Sequence, residues 1–389
     1  MPVPGPGEPT LAVQPTLAVQ PTLAVQPDRI PHDRKPFDHA LLAHHGDVEV
    51  GDGLADFAVN VADPQPPQWL VEVLRSAVSD LAHYPDPGPA RSAIAALHGV
   101  PAECVLLVAG AAEAFTLVAR LPWRRPLVVH PQFTEPEAAL RAAGHPVERL
   151  VLSADDGFRL GDRVAGVPPD VDLVVVGNPT NPTSRLHPQD EVLALARPGR
   201  TVLVDEAFMD AVEAPGAPRH SLTRRAASST GLVVVRSLTK TFAIAGLRVG
   251  YVVADPPSIA RLARLQPPWS VGSLATVAAV ACAGPEGRAH ASVVRDRLPG
   301  RLAHLVRGLA DAGLEVVTPP RGPFVLARHD KADETRMLLR DKGFAVRRGD
   351  TFPGLGPEWL RFAARPPGVT DRLIDALRET LDAPTQARR

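Results

Sequence analysis

The feature that most restricts the possible folds is a series of short, almost wholly apolar runs rich in valine and leucine. They alternate with segments of helical periodicity. Runs without polar alternation predict strands buried on both faces of a mainly parallel sheet, with helices covering the two faces of an α/β fold. In such sheets the loops at the carboxyl ends of the strands build the site. The runs are VLLVAG, PLVVHP, VERLVL, DLVVVGNP, TVLVDEA, GLVVVRSL and RVGYVVA.

The pattern changes after about Gly284, where a long helical stretch leads to shorter strand-like and helical segments. This change predicts a smaller α+β domain. We expect residues 76–284 to form the large domain, and residues 37–75 together with 285–383 to form the small one. A chain that leaves a domain and later returns to it places the substrate cleft between the two.

The amino-terminal region has a repeat of its own. Residues 10–27 contain TLAVQP three times, and each unit carries a proline. This period is too short and too rich in proline for a solenoid, so residues 1–36 are expected to form a disordered tail.

Charge and cysteine content argue against several classes of protein. The formal net charge is −1, so no basic field predicts binding to nucleic acid or to a membrane. Cys104 and Cys282 have no metal-ligand spacing and cannot form a disulfide scaffold, so we expect reduced thiols and no metal. The absence of a long apolar run and of a signal-like start predicts a cytoplasmic protein.

One lysine stands out, because only four of the 42 lysine and arginine residues are lysines. Lys240 alone follows a buried strand, among hydroxyl residues in RSLTKTFAIAGLRVGY. Partial burial of its amine would lower the pKa and make it a nucleophile toward an aldehyde. Ser237, Thr239 and Arg248 are donors suited to a phosphate. A lysine suited to react with an aldehyde, close to donors suited to a phosphate, suggests pyridoxal 5′-phosphate as the ligand.

Other strand ends carry the groups that such a cofactor needs. Asp205, in VLVDEAF, can keep the ring nitrogen protonated, which makes the ring an electron sink. Asn181, in the proline-stiffened loop GNPTNPTS, can donate to the ring hydroxyl. Phe133 can stack on the ring. Arg361, in the apolar segment EWLRFAAR, can bind a substrate carboxylate.

The phosphate cradle is expected at a turn between a strand and a helix. Gly110, Ala111 and Ala112 open a helix directly after VLLVA, so their backbone N–H groups are available to an anion. Each of these groups also has an ordinary structural interpretation, such as a strand-end turn, a core phenylalanine or a salt bridge. Their joint occurrence in this order favours the cofactor site.

The sequence is less consistent with two other classes of protein. A dehydrogenase is disfavoured because no G-x-G-x-x-G follows the first strand. A regulatory protein with a cofactor-binding fold but no turnover is disfavoured because the amino-terminal extension is a proline-rich repeat with little basic charge, and not a DNA-binding domain.

The order of motifs resembles fold-type I pyridoxal-phosphate enzymes of the class I/II aminotransferase superfamily, in the branch of histidinol-phosphate aminotransferases and threonine-phosphate decarboxylases. The resemblance covers roughly residues 52–383. Its motifs are GAAE, HPQFTEP, NPTNPT, VDEAF, SLTK, GLRVGY and FPGL followed by LRF.

The resemblance implies roles for individual residues. Lys240 would form the Schiff base, and Asn60 would line the substrate pocket. Tyr84 would reach the cofactor phosphate from the other subunit of a homodimer. Arg348 and Arg365 would bind a phosphate on the substrate. The remaining implied roles agree with those given above for Asp205, Asn181, Ser237, Arg248, Arg361 and the turn at residues 110–112.

Within that branch the sequence favours the decarboxylases. DFAVNVADPQPP, YPDPG and RRGDTFPGLG look most like L-threonine O-3-phosphate decarboxylases, which produce (R)-1-aminopropan-2-yl phosphate for cobalamin biosynthesis. Phe208, which would belong to the cofactor-binding residues, points the same way, because aminotransferases of the branch usually have tyrosine there. The alternative is a histidinol-phosphate aminotransferase that uses glutamate and 2-oxoglutarate.

The chain departs from the family pattern at a few positions. Ser184 replaces the glycine of NPTNPTG, and Ala111 and Ala112 remove a hydroxyl from the phosphate cradle. The segment at Asn60 lacks the N-x-N-P pattern, and Arg365 is followed by proline where threonine is common. These differences affect the substrate more than the cofactor.

Overall fold

The computed structural model describes Met1, residues 39–215 and residues 218–382, and the statements below concern this part of the chain. Apart from Met1, the expected tail of residues 1–36 lies outside the described residues. The strands, in chain order, are β1 (Ala55–Asp56), β2 (Val105–Val108), β3 (Pro126–His130), β4 (Glu148–Val151), β5 (Leu173–Gly177), β6 (Thr201–Asp205), β7 (Leu232–Ser237), β8 (Gly250–Val253), β9 (Glu315–Val316), β10 (Phe324–Arg328), β11 (Phe344–Ala345), β12 (Arg347–Arg348) and β13 (Trp359–Ala363).

Helices separate most of these strands. They are α1 (His39–Leu42), α2 (Gln68–Ala77), α3 (Gly88–His98), α4 (Ala111–Ala119), α5 (Glu135–Ala142), α6 (Gln189–Leu193), α7 (Thr223–Ala226), α8 (Pro256–Ala263), α9 (Ser273–Ala283), α10 (Pro285–Asp311), α11 (Ala332–Asp341) and α12 (Pro367–Asp382).

The seven apolar runs form one seven-stranded sheet in the order β2-β8-β7-β6-β5-β3-β4. The strands from β4 through β7 pair in parallel, and β8 runs antiparallel between β2 and β7. The prediction of a mainly parallel sheet is confirmed. Alternate strand residues enter two cores on opposite faces, as Val174 and Val204 do on one face and Val175 and Leu203 on the other. Helices α3 and α9 cover the first face, and α4, α5 and α8 cover the second.

The connection between β6 and β7 contains no long helix among its described residues. It includes a 3-10 turn and the four-residue helix α7. This connection is instead held by polar contacts, because the buried Glu206 carboxylate accepts hydrogen bonds from Ser221 Oγ at 2.6 Å and from the backbone N–H of Leu222 at 2.6 Å. Polar contacts thus hold the described part of this connection without a long helix.

A second sheet lies in the carboxyl-terminal part of the chain, with antiparallel order β12-β13-β10-β9. Its core includes Leu305 of α10, Phe362 of β13 and Leu373 of α12, and Phe57 contributes to the same core from the amino-terminal part. The return of the chain to this unit agrees with the expected small α+β domain. The domain boundaries given above stay a prediction.

Candidate active site

The loops that the sequence singles out leave the large sheet at one rim. Ser237, the last residue of β7, pairs with Gly250 at the start of β8, and Gly250 also pairs with Val108 at the end of β2. Asp205 at the end of β6 pairs with Gly177 at the end of β5. Because paired residues lie side by side, the segments that follow β2, β5, β6 and β7 begin next to one another.

Lys240 lies in the turn after β7 and is partly buried. Burial, with the positive charges of Arg248 and Arg361, lowers the pKa of its ammonium group from 10.5 to about 8. The carboxylates of Asp205 and Asp47 act in the opposite direction. A sizeable fraction of the amine is therefore neutral near pH 7 to 8, which is the form that attacks an aldehyde.

Asp205 is 9% exposed, and its burial raises the pKa of its carboxyl group from 3.8 to about 6. The backbone N–H of Ala207 donates to Oδ1 at 3.0 Å, and the positive charge of Lys240 also favours the ionised form. A buried carboxylate of this kind is suited to face a cationic ring nitrogen, because that cation would stabilise the ionised form further.

Asn181 and Arg361 contact each other directly. Nη1 of Arg361 donates to Oδ1 of Asn181 at 2.6 Å, and Nη2 donates to the backbone carbonyl of Ala58. The guanidinium carbon lies 5.6 Å from the ring centroid of Phe324. Burial, followed by the charge of Arg347, holds the pKa of Arg361 well below its usual range, and its buried Nε has no hydrogen-bond partner. An anion is the partner that such a buried cation needs.

The expected phosphate cradle opens α4. Gly110 precedes the helix with φ of +79°, a conformation that favours glycine. A Cβ atom placed on Gly110 would lie 2.6 Å from Nη2 of Arg248, so the guanidinium rests against this turn. The N–H groups of Ala111 and Ala112 lie in the first turn of the helix, where backbone donors have no partner inside the helix.

Hydroxyl groups complete this end of the site. Ser237 and Thr239 are 3% and 2% exposed, and their hydroxyl oxygens lie 2.7 Å apart. Arg248 itself has φ of +53° and donates from Nη1 to the carbonyl of Ala245 at 3.0 Å. The left-handed backbone conformation of Arg248 accompanies a side chain that turns toward Gly110.

Two phenylalanines proposed for the cofactor occupy different surroundings. Phe133 packs 5.2 Å from the ring of His45 and 6.4 Å from that of Phe115, measured between centroids. Phe208 is buried and meets Phe324 edge to face at 5.0 Å and 77°. Phe208 thus supports the ring beneath Arg361, and Phe133 lies near the segment that precedes β1.

Tyr84 stands at the surface of the chain. It is 76% exposed and stacks on Trp269, with centroids 4.4 Å apart. Val78 and Leu81, a few residues before Tyr84 in the chain, are about half exposed. The proposed role of Tyr84 depends on a second subunit.

Asn60 lies beside Lys240. The backbone N–H of Ala62 donates to the carbonyl of Lys240 at 2.9 Å, which fixes the segment against the lysine turn. Asn60 is 6% exposed, and its Oδ1 has no hydrogen-bond partner. Asn60, Lys240, Phe208 and Arg301 line one small cavity.

The two arginines proposed for a substrate phosphate already have partners. All three nitrogens of Arg365 donate to backbone carbonyls between residues 56 and 61, at 2.6–2.7 Å. Arg348 binds both carboxylate oxygens of Asp350, with Nε 2.6 Å from Oδ1. In this arrangement Arg365 holds the segment that carries Asn60. The phosphate-binding role of either arginine stays a prediction.

Residues 39–50 also contact the site, although none of the motifs described above includes them. Gly46 packs against the carbonyl of Ala58, and a Cβ atom there would lie 3.6 Å from Nη2 of Arg361. The segment is held from two sides, because Thr134 Oγ1 donates to the carbonyl of Leu42 at 2.7 Å and Arg347 donates to that of His44 at 2.7 Å. The run HHGD, with two histidines, a glycine and an acid, could have drawn attention to it.

The contacts of Ser184 explain how a serine is accommodated where the family pattern has glycine. Its φ is +60°, which explains why glycine is common at this position. The buried hydroxyl accepts hydrogen bonds from the backbone N–H groups of Arg321 at 3.1 Å and Gly322 at 2.8 Å, and lies 3.1 Å from the carbonyl of Gly322. These contacts join the loop of Asn181 to the chain that enters β10.

The arrangement fits pyridoxal phosphate. An amine of lowered pKa, a buried carboxyl group, a helix start flanked by an arginine, and unpartnered buried atoms on Asn60 and Arg361 match the aldehyde, ring nitrogen, phosphate and substrate of such an enzyme. Among the described residues, no group of histidine, cysteine, aspartate and glutamate could hold a metal ion, and no helix is long and apolar enough to cross a membrane.

Comparisons with known proteins agree with this interpretation. Residues 53–381 match the family described as aminotransferase class I and II. A histidinol-phosphate aminotransferase from Mycobacterium bovis is 46% identical over 330 residues, which cover 84% of this chain and 88% of that protein. A threonine-phosphate decarboxylase from Salmonella typhimurium is 31% identical over 340 residues, covering 85% and 92%. The crystal structure of the histidinol-phosphate aminotransferase from Clostridium acetobutylicum superposes with a TM-score of 0.77 at 25% identity, covering 85% and 99%.

Proposed function

The chain belongs to the aminotransferase class I and II family, and from that premise we propose that it is a histidinol-phosphate aminotransferase, which transfers an amino group between histidinol phosphate and 2-oxoglutarate. As a member of this family it is a pyridoxal-phosphate-dependent enzyme. The observation that carries the proposed substrate is the 46% identity to a histidinol-phosphate aminotransferase, against 31% to a threonine-phosphate decarboxylase.

This ranking reverses the one drawn from the motifs. The short segments described above and Phe208 favour the decarboxylase. Identity along most of the chain is a broader measure, and it favours the aminotransferase. Threonine-phosphate decarboxylase remains the second candidate, supported by the phenyl ring of Phe208, which has no hydroxyl group to offer the cofactor.

Arg361 is proposed to bind the anionic end of each substrate. Its guanidinium is buried, its Nε has no partner, and Asn181 accepts one of its hydrogen bonds. The α-carboxylate of glutamate and the phosphate of histidinol phosphate are both anions that a planar guanidinium can bind with two hydrogen bonds. One arginine could therefore serve the two halves of the reaction.

Lys240 is proposed to move the proton at the reacting carbon. When bound, pyridoxal phosphate supplies an electron sink for that carbon. Lys240, with its pKa of about 8, can both accept and return a proton near neutral pH. Its backbone carbonyl is fixed by Ala62, which limits where the amine can reach.

The cofactor is proposed to be held at both ends. Asp205 would face the ring nitrogen, Asn181 would donate to the ring hydroxyl, and Phe133 would stack on the ring. The phosphate would lie between the helix start at residues 110–112 and the side chains of Ser237, Thr239 and Arg248. The contact between Arg248 and Gly110 supports this position for the phosphate.

We also propose a homodimer, in which Tyr84 reaches the phosphate of the partner subunit. The exposed stack of Tyr84 on Trp269 supports it, because exposed aromatic rings beside apolar side chains mark interaction surfaces. The mass in solution, with and without Trp269→Glu, measures this directly.

The substrate proposal is tested with purified holoenzyme and two reactions run side by side. Histidinol phosphate with 2-oxoglutarate should yield glutamate, and Lys240→Ala should abolish the product. O-phospho-L-threonine should yield no aminopropanol phosphate. Formation of aminopropanol phosphate and carbon dioxide, without glutamate in the first reaction, would establish the decarboxylase instead.

A further inference from the structure

Gln132 is a buried polar residue at the rim of the sheet with no assigned role. Its side chain is 1% exposed, and neither Oε1 nor Nε2 has a hydrogen-bond partner. Among the described residues it is the one side chain with two such atoms. Buried polar groups in folded proteins are almost always paired, so an amide left with two unpaired atoms points to a ligand or to a polar neighbour that closes on it.

The position of this amide is fixed by Gly177. A Cβ atom placed on Gly177 would lie 3.4 Å from Oε1 of Gln132 and 3.4 Å from Cα of Thr180. The amide therefore lies over the glycine, in the space that any other side chain would fill. Thr180 is no partner for it, because the Thr180 hydroxyl donates to the carbonyl of Gly177 at 2.6 Å.

The register of the sheet relates this position to Asp205. Gly177 and Asp205 are paired residues in the neighbouring parallel strands β5 and β6, and paired residues direct their Cβ atoms to the same face. The amide of Gln132 is therefore on the face from which the Asp205 carboxylate projects, one strand away. On its other side the chain continues through Thr180 to Asn181.

Gln132 also precedes Phe133 in the chain, so its backbone belongs to the wall from which a stacking ring would project. The amide thus packs on Gly177, which pairs with Asp205 and precedes Asn181 by four residues. Asp205 and Asn181 are proposed for the ring nitrogen and the ring hydroxyl, which lie on one edge of a pyridoxal ring on either side of its methyl group.

We propose that Gln132 is a cofactor-binding residue, whose side-chain amide forms hydrogen bonds to the polar groups at the edge of the pyridoxal ring that carries the nitrogen and the hydroxyl. This inference rests on the cofactor that the family establishes and not on the proposed substrate. A failure of either one leaves the other standing, because the tests below use no substrate.

The charged groups that act on Asp205 are Lys240, which favours the ionised carboxylate, and Glu206, which opposes it. Gln132 carries no charge, so its replacement by methionine changes hydrogen bonding and leaves the net charge of the site unchanged. Methionine is close to glutamine in length and shape. Gln132→Asn, which keeps the amide but shortens the side chain, is the second variant.

Thr134→Val is the matched control, because Thr134 is 1% exposed in the same turn and its hydroxyl already donates to the carbonyl of Leu42 at 2.7 Å. Three quantities are measured for each protein: the dissociation constant of pyridoxal phosphate from the apo protein, the pH midpoint of the visible absorption of the bound cofactor, and the unfolding temperature with and without cofactor.

For Gln132→Met we expect an unfolding temperature of the apo protein equal to or above that of the wild type, because an unpaired buried amide has been removed. We expect a dissociation constant raised about tenfold, as for the loss of one good hydrogen bond. The pH midpoint should shift by about half a unit or more. Gln132→Asn should raise the dissociation constant and shift the midpoint in the same directions but to a smaller extent.

Thr134→Val should lower the unfolding temperature equally with and without cofactor, and should change neither the dissociation constant nor the midpoint. If the Gln132 variants behave like this control, the amide has a packing role only and the proposal is wrong.

Discussion

Nη1 of Arg361 lies 2.6 Å from Oδ1 of Asn181, and this hydrogen bond joins strand β13 of the small sheet to the loop that follows β5 of the large one. It also orients the amide of Asn181, because the oxygen accepts from arginine and leaves Nδ2 as the free donor. The group proposed to bind the substrate anion and the group proposed to bind the ring hydroxyl are thus coupled.

This coupling predicts that Asn181→Ala affects both ligands. Loss of a hydrogen bond to a buried arginine should lower kcat/KM roughly 10- to 100-fold and weaken cofactor binding as well. Arg361→Lys keeps the charge but loses the planar fork, so it should raise KM for both substrates while cofactor affinity changes little. Steady-state kinetics and cofactor titration measure the two effects. Equal cofactor affinity in Asn181→Ala and the wild type would contradict the coupling.

The pKa of Lys240 predicts a pH dependence for cofactor capture. Only the neutral amine reacts, so the rate at which the apo protein captures pyridoxal phosphate should rise about tenfold per pH unit and level off near pH 8. Arg248→Gln removes a positive charge that lowers this pKa, so its midpoint should lie at higher pH.

The exposed Arg264 provides the charge-matched control. Arg264→Gln removes the same charge and should leave the midpoint near 8. Stopped-flow absorbance gives the rates. A wild-type rate that keeps rising to pH 10 would mean that burial does not perturb the amine.

At Gly110, an added methyl group is expected to affect cofactor binding as well as stability. Gly110→Ala combines the strain of φ of +79° with a Cβ atom 2.6 Å from Arg248. Gly144→Ala also places a side chain at a positive φ, of +86°, but has no atom within 4 Å. Gly144→Ala should lose about 1 kcal/mol of stability, and Gly110→Ala at least as much. Only Gly110→Ala should also weaken cofactor binding, by roughly tenfold. Equal cofactor affinity in the two variants would mean that Arg248 does not bind the cofactor phosphate.

Much of this site follows from strand ends that a sequence reveals. Lys240, Asp205 and Asn181 come directly after apolar runs, and the rule that parallel strands share a carboxyl-terminal rim brings them together. Gln132 also follows an apolar run, two residues after β3, but its residue type alone does not show that the amide is buried without a partner. Gly46 follows no strand of the large sheet, and its position depends on Ala58 and Arg361, which face it across the fold. The hydrogen-bond partners of Arg365 could not be predicted from the sequence either, because they are backbone carbonyls, which every residue has.

At position 184, the glycine variant is expected to be more stable than the alanine variant. Ser184→Ala keeps the strained φ of +60° and loses the hydroxyl contacts to the chain at residues 321–322, which should cost about 2–3 kcal/mol. Ser184→Gly loses the same contacts but relieves the strain, so it should cost roughly 1 kcal/mol less. Urea unfolding of the apo proteins compares them. If the alanine variant is as stable as the glycine variant, backbone strain at this position is negligible.

The central claim is that Lys240 carries the cofactor, and reduction of the holoenzyme with borohydride followed by peptide mass spectrometry tests it most directly. Lys331 and Lys342 serve as internal controls, because both lie at the ends of a surface helix. The account predicts a reduced phosphopyridoxyl group on the peptide that contains Lys240 and on no other. An unmodified Lys240 peptide, with the group on another lysine or on none, would contradict it.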